Sequence, residues 1–353
     1  MASTTETTPA ATIGGMAIDP SAPLLDVSNL RVEFRIEDGV VKAVNGLSYA
    51  VGRGETVAIL GESGSGKSVS AQAVMGILDT PPGFVTGGSV KFRGVELLQH
   101  NPKIDSLSHV VPEVRGTQLA MVFQDALTAL NPVFTVGWQI GEMFRVHRGM
   151  SRKDAKKKAV ELMERVKIPA ARERVNSYPH EFSGGMRQRV MIAMALSLDP
   201  DVLIADEPTT ALDVTVQSQI MELLAELQQD TGMGLILITH DLAVVAEVAD
   251  RVVVMYAGQR MEKGEIDDVY HNPSHPYTLG LMKSIARPDV HLERLEPIAG
   301  SPPDLLNIPK GCPFHPRCPY AKEVCTTDVP TFDSVSETHS TACHFWKEVQ
   351  IEL

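Results

Sequence analysis

The chain has 353 residues, enough for about two domains or one large domain with an extension. With 43% hydrophobic and 22% charged residues, it is neither a disordered chain, nor a collagen, nor a small disulfide-stapled secreted domain. The balance of 32 basic against 44 acidic residues, net −12, argues against a protein that coats nucleic acid, yet leaves room for a local basic patch around a polyphosphate.

In chain order, residues 1–23 are rich in Thr, Ala, Ser and Pro and are expected to be a flexible tail. The first basic side chains are Arg31 and Arg35, so no secretory signal is expected. No uninterrupted apolar run approaches the roughly 18 residues of a membrane-spanning helix. Leu24 to Phe34 alternates like a strand, Glu37-Asp38-Gly39 is a turn signal, and a second strand-like run follows from Val40. Glu55 to Leu60 is a short apolar strand that runs into a glycine-rich turn, and Lys67 to Leu78 reads as a helix. Ser151 is a good helix cap, followed by an apolar stripe at Ala155, Ala159, Leu162, Met163 and Val166. With the segment before it, this predicts a helical subdomain from about Ala126 to Met186. Strands are expected at Val202–Ala205, Gly234–Thr239 and Arg251–Tyr256, with a helix carrying Val216, Ile220, Leu223, Leu224 and Leu227 on one face. Strands alternating with helices imply a largely parallel sheet. Residues 271–311 are Pro-rich and irregular, and all four cysteines follow, at 312, 318, 325 and 343.

Three motifs carry chemistry. Gly61-Glu62-Ser63-Gly64-Ser65-Gly66-Lys67-Ser68 matches G-x-x-x-x-G-K-[ST] between a strand and a helix. Its glycines let backbone N–H groups face phosphate oxygens, and the following helix adds its positive end. Lys67 is expected to reach the β/γ-phosphates and the Ser68 hydroxyl to ligate Mg²⁺. The apolar strand ending in Asp206 and Glu207 supplies a carboxylate for Mg²⁺ and one to polarise a water. The third motif, Ser183-Gly184-Gly185-Met186-Arg187-Gln188, is a capped helix start with unencumbered N–H groups, suited to a phosphate.

With that third motif just ahead of the acidic strand, the chain closely resembles the ATP-binding-cassette (ABC) ATPases over about residues 24–270. The resemblance implies an α/β fold: a phosphate-loop cassette with a mixed sheet, a helical subdomain and a C-terminal cysteine-rich extension over 271–353. It further implies that the helix start at Ser183 binds the γ-phosphate held by a second subunit, that Gln124 senses Mg²⁺ and the attacking water, that Asp213 lies in a loop crossing a dimer interface, that His240 contacts the γ-phosphate, and that Phe34 stacks on adenine. Glu207 and His240 are both present, so a hydrolysis-competent ATP site is expected.

The segments Gln124 to Pro132, Tyr178 to Ser183, Asn272 to Thr278 and Gly311 to Pro319 are similar to the dipeptide/oligopeptide (and nickel) permease ATPases, although Ala126 stands where that group would have proline. The cysteine spacing C-x5-C-x6-C-x17-C suits either a 4Fe–4S cluster or tetrahedral zinc. The resemblance shifts the expectation to 4Fe–4S on Cys312, Cys318, Cys325 and Cys343, with His315 and His344 as ordinary loop residues. What it implies as a whole is a peripheral ATPase on the cytoplasmic face of the plasma membrane, powering uptake of di- and oligopeptides. Its partners would be a second, different ATPase chain, two membrane permease subunits and an external solute-binding protein, with no nucleic acid. Import of nickel or another small solute, and a soluble non-transport ABC ATPase, are the alternative readings.

Overall fold

A computed structural model describes residues 12–284 and 297–351. Its centre is an eight-stranded sheet in the order Leu119–Val122, Val202–Asp206, Gly234–Thr239, Thr56–Leu60, Arg251–Tyr256, Gln259–Glu265, Ser340–Thr341, Asp333–Ser334. The first five strands run parallel and the rest antiparallel. All side chains of Thr56–Leu60, Val202–Asp206 and Gly234–Thr239 are buried, as expected for parallel strands covered on both faces. A second, antiparallel sheet pairs Gly39–Val51 with Leu25–Ile36 and Leu25–Ile36 with Gly83–Phe92. One apolar core lies between the two sheets and the helix Lys67–Met75; a second lies between the central sheet and the helical subdomain.

The helix expected over Lys67 to Leu78 stops at Met75. Gly76 turns it with φ 66, and a Cβ there would meet the His109 ring at 2.5 Å. The helical subdomain holds Val136–Arg148 and Arg152–Arg165, and its helix Gly184–Leu196 continues beyond Met186. Ser151 caps its helix by accepting the Asp154 N–H at 3.2 Å, a contact of about 1 kcal/mol for such caps.

The flexible tail expected over 1–23 is corrected over residues 12–23; residues 1–11 lie outside the described residues. Thr12–Ile13 pairs with Met16–Ala17, Ile13 is buried in the first core, and the Asp19 N–H donates to the Arg93 carbonyl at 2.9 Å. Burial of the Ile13 side chain anchors a segment whose Ala, Gly, Ser and Pro content reads as loop. The segment read as irregular contains a helix, Pro276–Lys283, with Tyr277 fully buried. Beyond it, Ser340–Thr341 pairs with Gln259–Glu265, so the C-terminal region continues the central sheet. Glu262, fully buried, fastens it: its carboxylate accepts the Ser274 and His275 N–H groups at 2.5 and 3.1 Å and lies 2.7 Å from His339 Nε2.

Candidate active site

Four neighbouring parallel strands end on one side of the sheet, and each delivers one part of the site. Leu119–Val122 leads to Gln124, Val202–Asp206 to the acidic pair, Gly234–Thr239 to His240, and Thr56–Leu60 to the glycine loop. The carboxyl ends of parallel strands are where α/β sheets bind ligands.

The loop needs its glycines. A Cβ at Gly61 would lie 2.2 Å from the Met255 carbonyl oxygen, and one at Gly66 (φ +97) would lie 2.1 Å from that of Ala43. Ser63 and Gly64 are exposed at the loop tip. Ser65 is buried, and its Oγ has no hydrogen-bond partner, a polar atom left for a ligand of the loop. Lys67, 4% exposed, donates to the carbonyls of Gly61 and Glu62 at 2.7 and 3.0 Å, and its ammonium is 3.9 Å from Glu207. Burial lowers its pKa against the pull of Glu207, Asp206 and Glu62.

Ser68 Oγ donates to Asp206 Oδ1 at 2.9 Å. This pair of hard oxygen donors beside a phosphate loop fits Mg²⁺. Burial raises the Asp206 carboxyl to about 6. Glu207, in a left-handed backbone conformation (φ 42), accepts from Gln124 Nε2 at 3.0 Å and Thr210 Oγ1 at 2.8 Å. His240 Nδ1 is 3.6 Å from the same carboxylate. The interaction with His240, followed by Thr210 and Lys67, holds the Glu207 carboxyl down at about 2, and Glu207 in turn raises the His240 pKa. The structure thus brings together Lys67, Ser68, Gln124, Asp206, Glu207 and His240.

Ser183, Gly184, Gly185, Gln188 and Asp213 form a second group. Ser183 caps Gly184–Leu196 by accepting the Met186 N–H at 3.4 Å, and Asp213 caps Val214–Thr231 by accepting the Val216 N–H at 3.0 Å. A Cβ at Gly185 would meet Val216 Cγ1 at 2.5 Å, so the two helix starts interlock. Ser183, Gly184 and Asp213 are exposed, while Gln188 is buried with its Nε2 unpartnered. Phe34 lies on the antiparallel sheet, half-buried against its core.

Cys312, Cys318, Cys325 and Cys343 line one small cavity together with Phe314 and Phe345. Among the described residues, no group of three or more His, Cys, Asp or Glu side chains forms a set that could hold a metal ion. The cavity is lined by the four thiols together with the His275, His315 and His344 rings, and by no carboxylate. Burial pushes Cys318 and Cys343 up to about 12. His315 Nδ1 is engaged with the Cys312 carbonyl at 2.9 Å, and His344 Nε2 with the Asp328 carbonyl at 3.0 Å.

Motif reading missed the part played by the C-terminal region at this site. Arg317 and Tyr277 both reach Glu62 in the glycine loop. The Arg-Cys pair next to a loop-rich turn gave no sign of that contact.

A glycine loop on a central parallel strand, an acidic pair two strands away, a histidine on the strand between them and a separate capped-helix group define an ATP-binding-cassette ATPase. Comparison with known proteins agrees. Residues 44–210 match the ABC transporter family, and residues 261–325 match the C-terminal region of oligopeptide/dipeptide transporters. The chain is 49% identical over 332 residues to an oligopeptide transport ATP-binding protein of Salmonella typhimurium, covering 93% of this chain and 95% of that one. It is 49% identical over 320 residues to a dipeptide transport ATP-binding protein of Bacillus subtilis, covering 91% and 94%. Among solved structures it resembles a dimeric ATP-binding cassette in a post-hydrolysis state with ADP and Pi (TM-score 0.59, 25% identity, 69% of this chain and 98% of that one). The chain belongs to the ABC transporter ATP-binding proteins, in the oligopeptide/dipeptide branch.

Proposed function

We propose that this ATPase powers import of di- and oligopeptides as a peripheral subunit on the cytoplasmic face of the plasma membrane. The observation that carries the ATP chemistry is the meeting of Lys67, Ser68, Asp206, Glu207, His240 and Gln124 at four neighbouring strand ends. The peptide solute is supported by the names of relatives that match over nearly the whole chain.

In this reading the loop N–H groups around Gly61, Ser63, Gly64, Ser65 and Gly66 hold the phosphates of ATP, and Phe34 stacks on the adenine. Mg²⁺, held by Ser68 and Asp206 with Gln124 alongside, would neutralise phosphate charge. Lys67 and His240 turn toward the γ-phosphate. In doing so they leave Glu207, which loses two of the groups holding its pKa down and becomes a better base toward the attacking water. Ser183, Gly184, Gly185, Gln188 and Asp213, presented apart from the loop, close the site of a second ATPase chain paired head to tail. That chain is a different subunit, and Gln124 with the helical subdomain passes the closure to two permease subunits that receive solute from an external binding protein. ATP contacts made only in the closed pair shift the population toward it. The four thiols would hold a 4Fe–4S cluster that ties down the loops from Cys312 to Cys343; zinc is the alternative occupant.

Uptake of a labelled tripeptide by cells lacking this gene tests the proposal. Wild-type protein should restore uptake and Glu207→Gln should not. Restored nickel uptake with no effect on peptides would replace the solute while keeping the ATPase.

A further inference from the structure

Glu62, the first variable position of the glycine loop, is tied to two residues of the C-terminal region, Arg317 and Tyr277. The Arg317 guanidinium grips its carboxylate with both arms, at 2.6 and 3.0 Å. The Glu62 N–H donates to Tyr277 Oη at 2.8 Å, and the Glu62 carbonyl accepts from the Lys67 ammonium at 3.0 Å. Arg317 is itself fixed: it donates to the Ala299 carbonyl at 2.9 Å and to Tyr256 Oη at 3.2 Å, and its side chain is 5% exposed. Its own N–H donates to the Phe314 carbonyl at 2.9 Å, in the turn between Cys312 and Cys318.

A carboxylate beside a phosphate loop repels the ligand the loop is built for. A fork-shaped, doubly bonded guanidinium neutralises that charge and fixes its direction, which an ammonium on a flexible stem does less well. We propose that Arg317 is a positioning residue for the phosphate loop. By holding Glu62 it fixes the loop backbone whose N–H groups face the phosphates and whose Glu62 carbonyl holds the Lys67 ammonium, so the cysteine-bearing segment is a working part of the ATP site and not an appendage. The proposal rests on the ATP-site reading above and extends it to a contact 255 residues away in sequence.

The test is titration of a fluorescent ATP analogue, with KM and kcat for hydrolysis, on full-length wild type, Arg317→Ala, Arg317→Lys and the double variant Glu62→Ala/Arg317→Ala. Arg317→Ala should weaken nucleotide binding by about tenfold and raise KM more than it lowers kcat, because it frees a repelling carboxylate at the loop. The double variant should recover part of that loss, since the freed carboxylate is gone. A merely structural role for Arg317 would not give this recovery. Arg317→Lys keeps the charge and should give an intermediate KM; if Arg317→Ala does not fold, this variant decides, an unchanged KM overturning the proposal. Wild-type affinity in Arg317→Ala, or equal loss in the single and double variants, also overturns it. Failure of the wild type to bind nucleotide would instead remove the ATP-site reading itself.

Discussion

Asp206 and Glu207 are neighbours in the chain, yet their carboxyls move in opposite directions, Asp206 up to about 6 and Glu207 down to about 2. Asp206 is the last residue of a buried strand, where desolvation outweighs its bond from Ser68. Glu207 has turned out of the sheet with a positive φ, into reach of His240, Thr210, Gln124 and Lys67. One backbone turn therefore separates a carboxyl that is costly to ionise from one held ionised.

Mg²⁺-dependent nucleotide binding should follow the Asp206 titration. Below about pH 6 the carboxyl is protonated and cannot serve a cation, so the affinity for Mg·ATP should fall with acidity while that for metal-free ATP changes little. The same shift has a sign for stability. A folded pKa raised above 3.8 gives a contribution fully present below 3.8 and lost as pH rises through about 6. Asp206→Asn should accordingly raise the Tm of the nucleotide-free protein at pH 7.5 while abolishing the metal dependence. Equal Tm values together with unchanged Mg²⁺ dependence would show that Asp206 plays neither part.

Loss of Lys67 and loss of Glu207 should separate binding from turnover. Lys67→Ala removes the ammonium proposed to reach the phosphates and should lower ATP affinity itself. Glu207→Gln keeps the shape of the site and should retain ATP while hydrolysis drops by about a hundredfold or more, the range for a general base. Equilibrium binding and phosphate release measured on both variants check the split.

The interlocked helix starts give a packing prediction. Gly185→Ala would place a methyl against Val216 Cγ1 and should cost about 1–3 kcal/mol of stability, as overpacking does. Val216→Ala should restore most of it when combined with Gly185→Ala. Urea denaturation of the single and double variants measures the coupling.

For the cysteine cavity, protein purified without oxygen should carry about four iron and four sulfide per chain, and Cys325→Ser should lose them. Stoichiometric zinc would exchange the occupant, and neither metal would leave the thiols as packing groups; elemental analysis distinguishes the three.

Much of this site could be read from the sequence because each part is a short contiguous motif: Gly61 to Ser68 and Asp206 with Glu207 at strand ends, and Ser183 to Gln188 at a helix start. The order of the strands could not. The edge strand Leu119–Val122, which places Gln124, is only four residues long, too short to show a pattern of its own. Ile13 lies in a stretch of small residues with no strand-length alternation, and Tyr277 and Phe314 in proline-rich ones, although their rings pack 5.3 Å apart in the C-terminal core. The Glu62–Arg317 pair joins distant segments through side chains alone, and no local pattern encodes such a contact.

ATP hydrolysis at Glu207 is proposed to drive peptide import. The most direct measurement is ATP turnover by this subunit assembled with its permease and partner ATPase in vesicles, with and without peptide-loaded binding protein. Peptide should raise turnover several-fold, and Glu207→Gln should eliminate the rise while still retaining ATP. Turnover indifferent to peptide, or a peptide response surviving in Glu207→Gln, would contradict the account.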